Sequence, residues 1–503
     1  MKLNYKRTIL VGFAFFLISA FWQAYDAIVP LILTNHYGLP QAISGVVMSI
    51  DNILAVFMLP IFGALSDKVM TRFGKRTPFI VIGTVAAVVA FISLTLVNGI
   101  QLNALNEAGI SDAYNDAYSV FSAAKQSLKE GLITNEAFAE AEILFNSTKE
   151  ALQQQSLEIT MANIWYLVGF LAVLLVVLVA MATFRSPAVA LMPDVTVKPL
   201  RSKANAIINL MGTAGGIIIL ALSSFMGMSN KLYSHYIGYV ALVCAVMVGG
   251  LIAFIFTVKE KKWADEMEEA SIKLGLEEKV EEDNTAKRSL SKSELISLLL
   301  ILASVALWYI GYNSITSKYT VYATSVLNVD YGITLIVAQA AAIVSYIPVG
   351  IVASKFGRKK TILAGIVMLA TAFFIGNFIE PGVSNLIMYP IFALAGIGWA
   401  TINVNSFPMV VELAKGGEVG KYTGYYYTAS MAAQIVAPIL SGILYSAVGK
   451  LVGGGDMAGM RYVFFAFGTV FVVFSFITMF FVKHGDAKAE KQDALEALAG
   501  ADD

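Results

Sequence analysis

Long apolar stretches alternate with short polar turns along almost the whole chain. An apolar run of about 20 residues is long enough to cross a bilayer core as a helix. The alternation predicts twelve such spans. Six fall at residues 8–33, 41–65, 78–99, 163–190, 204–227 and 234–257. Six more fall at 294–322, 332–354, 361–379, 385–411, 422–446 and 460–482. Spans longer than the bilayer core are accommodated by tilt. Lys2, Lys6 and Arg7 before the first run would suit a secretory leader, but the run continues past about 15 apolar residues, so it reads as a retained first span.

Two polar segments interrupt this pattern. Residues 258–292 are dense in Lys and Glu and fall at the midpoint, so they are predicted to link two six-helix halves and to hold an interfacial helix anchored by Trp263. Residues 100–160 form an acidic insertion between the third and fourth spans. Tyr114, Tyr118, Phe121 and Ala124 recur there at helical spacing, which predicts two helices turning near Gly131. The insertion reads as a cap or spacer; a substrate-capturing or partner-binding domain is the alternative. The organisation expected is a first half at 1–257, a linker at 258–292, a second half at 293–483 and a polar tail at 484–503.

Composition agrees with the pattern. The chain is 57% hydrophobic and 14% charged, whereas soluble proteins carry about 25% charged residues. It is therefore expected to be an all-α integral membrane protein in contact with the lipid bilayer. A formal net charge of zero implies no nucleic-acid partner. Charge placement is more informative. Lys68, Arg72, Lys75, Arg76, Lys198, Arg201, Lys203, Lys355, Arg358, Lys359, Lys360, Lys415 and Lys421 cluster in alternate loops, and the remaining short loops hold only Lys231, Lys450 and Arg461. The positive-inside bias then puts both termini in the cytoplasm. A single cysteine, Cys244, excludes an intrachain disulfide and a cysteine metal site. His36, His235 and His484 are isolated in sequence, so no metal or other cofactor is expected. No Gly-x-x-x-x-Gly-Lys-Ser/Thr loop is present, which argues against ATP-driven work and against an enzyme.

The two halves correspond span by span. Span two ends in Gly63-Ala-Leu-Ser-Asp67-Lys-Val-Met-Thr-Arg72-Phe-Gly74-Lys75-Arg76-Thr-Pro78, and span eight in a weaker copy, Gly350 to Lys360, with Ser354 where the first copy has an acid. Spans four and ten each end in a proline followed by an acid, Pro187 to Asp194 and Pro408 to Glu412. Two six-helix halves joined by a central linker resemble the major facilitator superfamily. The turn Arg-Phe-Gly-Lys-Arg-Thr-Pro-Phe, the stretch from Arg185 to Asp194 and the run Arg201-Ser-Lys-Ala-Asn-Ala are similar to the sucrose-transporter branch of the glycoside–pentoside–hexuronide:cation symporters. The insertion has no counterpart in that resemblance. Positions where relatives carry coupling acids hold Ala55, Leu59 and Leu178 here, and Val189 stands where relatives carry an arginine, so no coupling residue transfers directly.

The resemblance implies a substrate site near the midplane between the halves, lined by spans one, four, seven and ten, and alternating access by rocking of the halves. Ionisable groups inside a span are functional candidates because burying them is costly. Asp26 and Asp51 lie at similar depth, roughly 13–15 Å from the outer surface at about 1.5 Å per residue. Arg185 reaches a comparable depth from the other side. These three are the candidates for coupling to H+ or Na+. Sugar recognition needs hydroxyl partners and aromatic faces, which Trp22, Gln23 and Tyr25, then Tyr309, Tyr312 and Asn313, then Trp399, Asn403 and Asn405 offer on three of the favoured spans. Asn403 and Asn405 are two apart and cannot both point into one cavity. A gate is expected from Gly63, Asp67, Arg72, Gly74, Lys75, Arg76, Asp194, Arg201, Arg358 and Glu412, with Asp67 and Arg72, and Asp194 and Arg201, latching the halves in the outward-open state and releasing them in the inward-open one.

The expectation is a monomeric proton- or cation-coupled symporter of a glucoside or small oligosaccharide in a cell membrane, in a prokaryotic plasma membrane. The alternatives are a carrier of a non-sugar solute such as an organic anion or drug, and a receptor or scaffold that uses the insertion.

Overall fold

The computed structural model describes residues 3–197, 201–273, 291–381, 384–411, Leu413 and 419–485. Its elements are α1 (Tyr5–His36), α2 (Gln41–Lys68), α3 (Thr77–Glu107), α4 (Ile110–Lys129), α5 (Asn135–Ala162), α6 (Ile164–Asp194), α7 (Arg201–Phe225), α8 (Ile237–Thr257), α9 (Glu260–Lys273), α10 (Lys292–Leu327), α11 (Tyr331–Phe356), α12 (Arg358–Gly376), α13 (Asn385–Val411), α14 (Val419–Leu451) and α15 (Asp456–Phe480). Among the described residues eleven helices are long and apolar enough to cross a membrane, and α11 adds a shorter apolar stretch, Tyr331–Tyr346. The twelve predicted spans are all helices. The third runs beyond its predicted end to Glu107 because Gln101, Leu102 and Leu105 continue its buried stripe into the insertion.

Backbone satisfaction explains why helices dominate the described residues: in lipid each N–H and C=O of a helical span is paired within its own segment. Small residues then let helices approach. A Cβ on Gly45 of α2 would collide with the Pro438 carbonyl of α14, and one on Gly442 of α14 with the Gln41 carbonyl. The α2–α14 and α7–α11 pairs join the halves.

The two ends of the bundle differ. One carries the basic turns, α9 and the described residues nearest both chain ends; here it is termed the terminal face. The other carries α4 and α5, and is termed the insertion face. These two helices turn at Gly131 and pack through Phe121, whose ring stacks on Phe145 at 4.7 Å between centroids. α1 and α10, the first spans of the two halves, both end at the insertion face in a π-helical turn, Ile32–His36 and Tyr322–Leu327. The duplication therefore extends to a backbone irregularity. His36 is not isolated: its ring is fully buried, with Nδ1 3.1 Å from Asn98 Oδ1 and Nε2 2.9 Å from the Leu232 carbonyl.

The linker differs from expectation at Trp263. The helix is present as α9, but Trp263 is buried against the protein with the Arg7 guanidinium 4.9 Å from its ring centre. Arg7 also pairs with Glu266 at 2.5 Å. Trp263 therefore docks α9 onto the bundle and does not anchor it in lipid. Residues 274–290 of the linker, and 486–503 of the tail, lie outside the described residues.

Candidate functional site

A cavity of about 520 Å³ lies between the halves, within the size range of small-molecule sites. α1 contributes Trp22, Gln23 and Asp26; Trp22 and Asp26 share a face because they are four residues apart. α6 contributes Arg185, whose guanidinium stands 5.6 Å from the Trp22 ring centre, a distance that permits cation–π attraction. α10 and α13 add Tyr312 and Trp399, stacked at 5.9 Å. α7 adds Asn209 and α11 adds Gln339. The Gln339 amide donates to Gln23 Oε1 at 2.8 Å and so bridges the halves across the cavity wall.

Four polar atoms of this wall are buried without a protein partner: Trp22 Nε1, both amide atoms of Asn209, and Gln339 Oε1. Buried polar groups are otherwise nearly always paired. The set is neutral, and holds two donors and two acceptors.

The remaining candidates sit elsewhere. Asp51 on α2 is outside the lining. Its carboxylate accepts from the Asn52 amide at 2.9 Å and interacts electrostatically with Arg185. Tyr25 is fully buried among Phe21 and Trp22 rings. Tyr309 packs on Trp308 at 4.0 Å, although it lies only three residues, close to one helical turn, from Tyr312. Asn313 donates to the Tyr309 carbonyl and Asn405 to the Thr401 carbonyl, both one turn back on their own helices, and Asn403 is buried. None of these five lines the cavity. Sequence reasoning missed Asn209 and Gln339. Each is a lone neutral amide in an apolar run, a weaker signal than a charge or an aromatic cluster.

At the terminal face the first-half turn is organised by Arg76. Its Nη2 donates to Asp67 Oδ1 at 2.5 Å and its Nε to Asp194 Oδ2 at 2.7 Å. It also bonds the Ser66 hydroxyl. Arg72, the expected partner of Asp67, lies at the exposed tip of the turn with its guanidinium 4.6 Å from the Phe73 ring centre. The turn closes through reciprocal Thr71 and Gly74 backbone bonds of 3.2 Å, which throws Arg72 outward and folds Arg76 beneath α2. Asp67, Arg76 and Asp194 all belong to the first half, so in this structure the network ties α2, α3 and α6 to one another. Arg358 is buried at the start of α12. The side chain of Arg201, and Glu412, lie outside the described residues.

Glu260 of α9 completes the turn. Its carboxylate accepts from the backbone N–H groups of Lys75 at 2.6 Å, Arg76 at 2.8 Å and Thr77 at 2.7 Å, and from the Thr77 hydroxyl at 2.6 Å. An acid at a helix N-terminus satisfies donors that the helix leaves free. Gly74 sits at φ +117°, and a Cβ there would collide with this carboxylate. The motif glycine and the linker glutamate therefore require each other.

Two helical halves around a central, mainly apolar cavity with a few converging polar groups have the architecture of a membrane transporter. The chain matches the Major Facilitator Superfamily over residues 156–346 and 325–500, and the MFS/sugar transport protein family over residues 10–104. It belongs to the major facilitator superfamily, a family of transporters and not of enzymes. No curated protein sequence matches the chain. Among solved structures, a D-xylose-proton symporter shares 13% identity at TM-score 0.59, covering 96% of this chain and 99% of that one. The xylose transporter XylE from E. coli, in an inward open conformation, shares 12% identity at TM-score 0.61, covering 98% and 99%. A bacterial homologue of human drug peptide transporters shares 13% at TM-score 0.59, covering 95% and 97%. At these identities the likeness shows the fold alone.

Proposed function

We propose that the chain is a proton- or cation-coupled symporter of a neutral sugar, a glucoside or small oligosaccharide, working by alternating access. The carrying observation is the wall of the central cavity. Stacked Tyr312 and Trp399 offer an apolar face, and the four unpaired atoms of Trp22, Asn209 and Gln339 offer neutral donors and acceptors in equal number. A hydroxyl both donates and accepts, so a polyhydroxylated ring satisfies such a set. The similarity of the first-half turn to sucrose transporters supports the same reading. Asp26 in the lining, with Asp51 and Arg185 beside it, supplies the coupling groups for H+ or Na+.

The loop bias of Lys and Arg supports a cytoplasmic terminal face; a monomer in a prokaryotic plasma membrane is part of the same proposal. A cleft of about 820 Å³ separates α2 from α14 and reaches Asp67 on that face, whereas the same two helices touch at Gly45 and Gly442 on the other. This arrangement corresponds to an inward-facing state.

Purified protein is to be screened by thermal shift against sugars, organic acids and amphipathic drugs, at several pH values with and without sodium. A sugar that stabilises it supports the reading, because a ligand of the folded state raises stability by mass action. A second reading, transport of an organic anion, draws on Arg185 in the lining; stabilisation by carboxylates and not by sugars would favour it. Asp26→Asn and Asp51→Asn are expected to lose concentrative uptake, and full uptake by both would sink the coupling assignment. Deleting residues 105–155 separates a transporter from a receptor: binding with no uptake in the intact chain, and lost binding in the deletion, would favour the receptor.

A further inference from the structure

We propose that the insertion is part of the gate of its face: Lys149 of α5 clamps the widened end of α10 and holds the two halves shut there. The proposal uses the transport class of the chain and does not depend on which solute is carried.

Lys149 belongs to the first half, and everything its ammonium bonds belongs to the second. Its Nζ donates to the Ser325 carbonyl at 2.7 Å, the Asn328 Oδ1 at 2.6 Å and, more weakly, the Thr324 carbonyl at 3.5 Å. These acceptors collect where they do for a physical reason. The last carbonyls of a helix have no partner within it and carry the negative end of its dipole. The π-helical turn Tyr322–Leu327 and the left-handed Asn328, at φ 56°, spread those carbonyls outward. A lysine amine can bond such a ring in either form, with three donors as the ammonium and two when neutral. Lys149 is 7% exposed, and its stem passes the Phe145 ring, with Nζ 4.6 Å from the ring centre. α4 contributes a second tie, Lys125 Nζ to the Asn328 carbonyl at 3.2 Å. Glu142 adds a third by accepting from the Asn328 amide at 3.3 Å. Asn328 is thus gripped from three sides by the insertion. Opening this face moves the end of α10 away from the first half, so these bonds must break in each transport cycle.

The charge on the clamp makes it sensitive to pH on its own side. Burial pushes the Lys149 ammonium down from about 10.5 to about 7, and Glu142 and Glu150 on its own helix oppose that shift. The other charged groups near it are Lys125 on α4, and Asp456 and Arg461 on α15, which act on Glu150 and Glu142. In the open state the ammonium returns to water and its ordinary value. Closing therefore releases a proton between about 7 and 10.5, and acidification across that window shifts the equilibrium toward opening. One proton limits the slope to about tenfold per pH unit. Below the window both states hold the proton and the bias stops changing.

Two experiments test this. In the first, spin labels at Val120→Cys on α4 and Val452→Cys on the second half, in a Cys244→Ala chain, report the width of this face. In Lys149-containing protein the longer-distance population is expected to grow as pH falls through the window. In Lys149→Met the response is expected to be flat, and in Lys149→Arg, which stays charged, fixed near the acid limit. A pH response unchanged in Lys149→Met would overturn the proposal, and Lys149→Arg answers the same question if the Met variant does not fold. In the second, Lys125→Cys and Asn328→Cys are joined by a short reducible thiol linker. Uptake is expected to stop and to return on reduction. Full uptake while linked would overturn the proposal. Thermal-shift binding by the linked protein keeps a failed sugar assignment distinguishable from a failed gate.

Discussion

The insertion face and the terminal face use their charged residues differently. On the insertion face polar bonds cross between the halves. Lys318 of α10 donates to the Ser44 hydroxyl at 2.7 Å, the Asp456 carboxylate accepts from the Gln41 N–H, and Asp330 accepts from Ser224 and Ser229 at 3.2 Å each. Gly45 and Gly442 let α2 and α14 meet between these bonds. On the terminal face the Arg76–Asp67–Asp194 network and the Glu260 cap stay inside the first half and its linker. In this arrangement one set of bonds holds two bodies together at the closed face, and the other ties one body's helices together at the face with the cleft.

Removing the close approach is the strongest way to break this contrast. In Gly442→Leu the new side chain meets the Gln41 backbone, and overpacking of about 3 kcal/mol is expected to hold the face ajar and cut uptake by more than ~10-fold. Uptake together with thiol labelling of the insertion face checks it. Next comes Arg76→Met, which leaves Asp194 and Asp67 without their shared cation. Losing one member of a buried pair costs about 3–5 kcal/mol, and the exposure of Asp67 reduces this to about 2–3 kcal/mol. The melting temperature is expected to fall, while the spacing across the insertion face stays as it was. Glu260→Gln exchanges a charged acceptor of four donors for a neutral one, an effect of about 1–2 kcal/mol. Proteolysis of the linker is expected to accelerate. Smallest is Arg72→Ala, expected to stay within about 0.5 kcal/mol because that side chain lies exposed over Phe73. A loss equal to that of Arg76→Met would undo the assignment of the network to Arg76.

Much of the architecture was legible along the chain because lipid imposes a length and a polarity on each span. The same constraint made Asp26 and Arg185 visible, since a charge inside an apolar run is conspicuous, and both line the cavity. Direction around a helix was harder to read. Tyr309 and Tyr312 lie three residues apart, yet one packs on Trp308 and the other faces the cavity. With α10 apolar on all sides, no polar stripe marks which face turns inward. Arg72 and Arg76 posed the same problem in a turn, where composition does not say which arginine the backbone folds beneath α2.

Sequence alone determined what each segment had to satisfy on its own: span length, helical backbone, the duplicated basic turns and the two-helix insertion. Tertiary structure decided every relation between distant segments. Lys149 and Asn328 are 179 residues apart, and Glu260 lies 184 residues from the Arg76 N–H that it accepts from. Such pairs follow from how helices pack around one another. That packing depends on the summed fit of many side chains, and no local pattern encodes it.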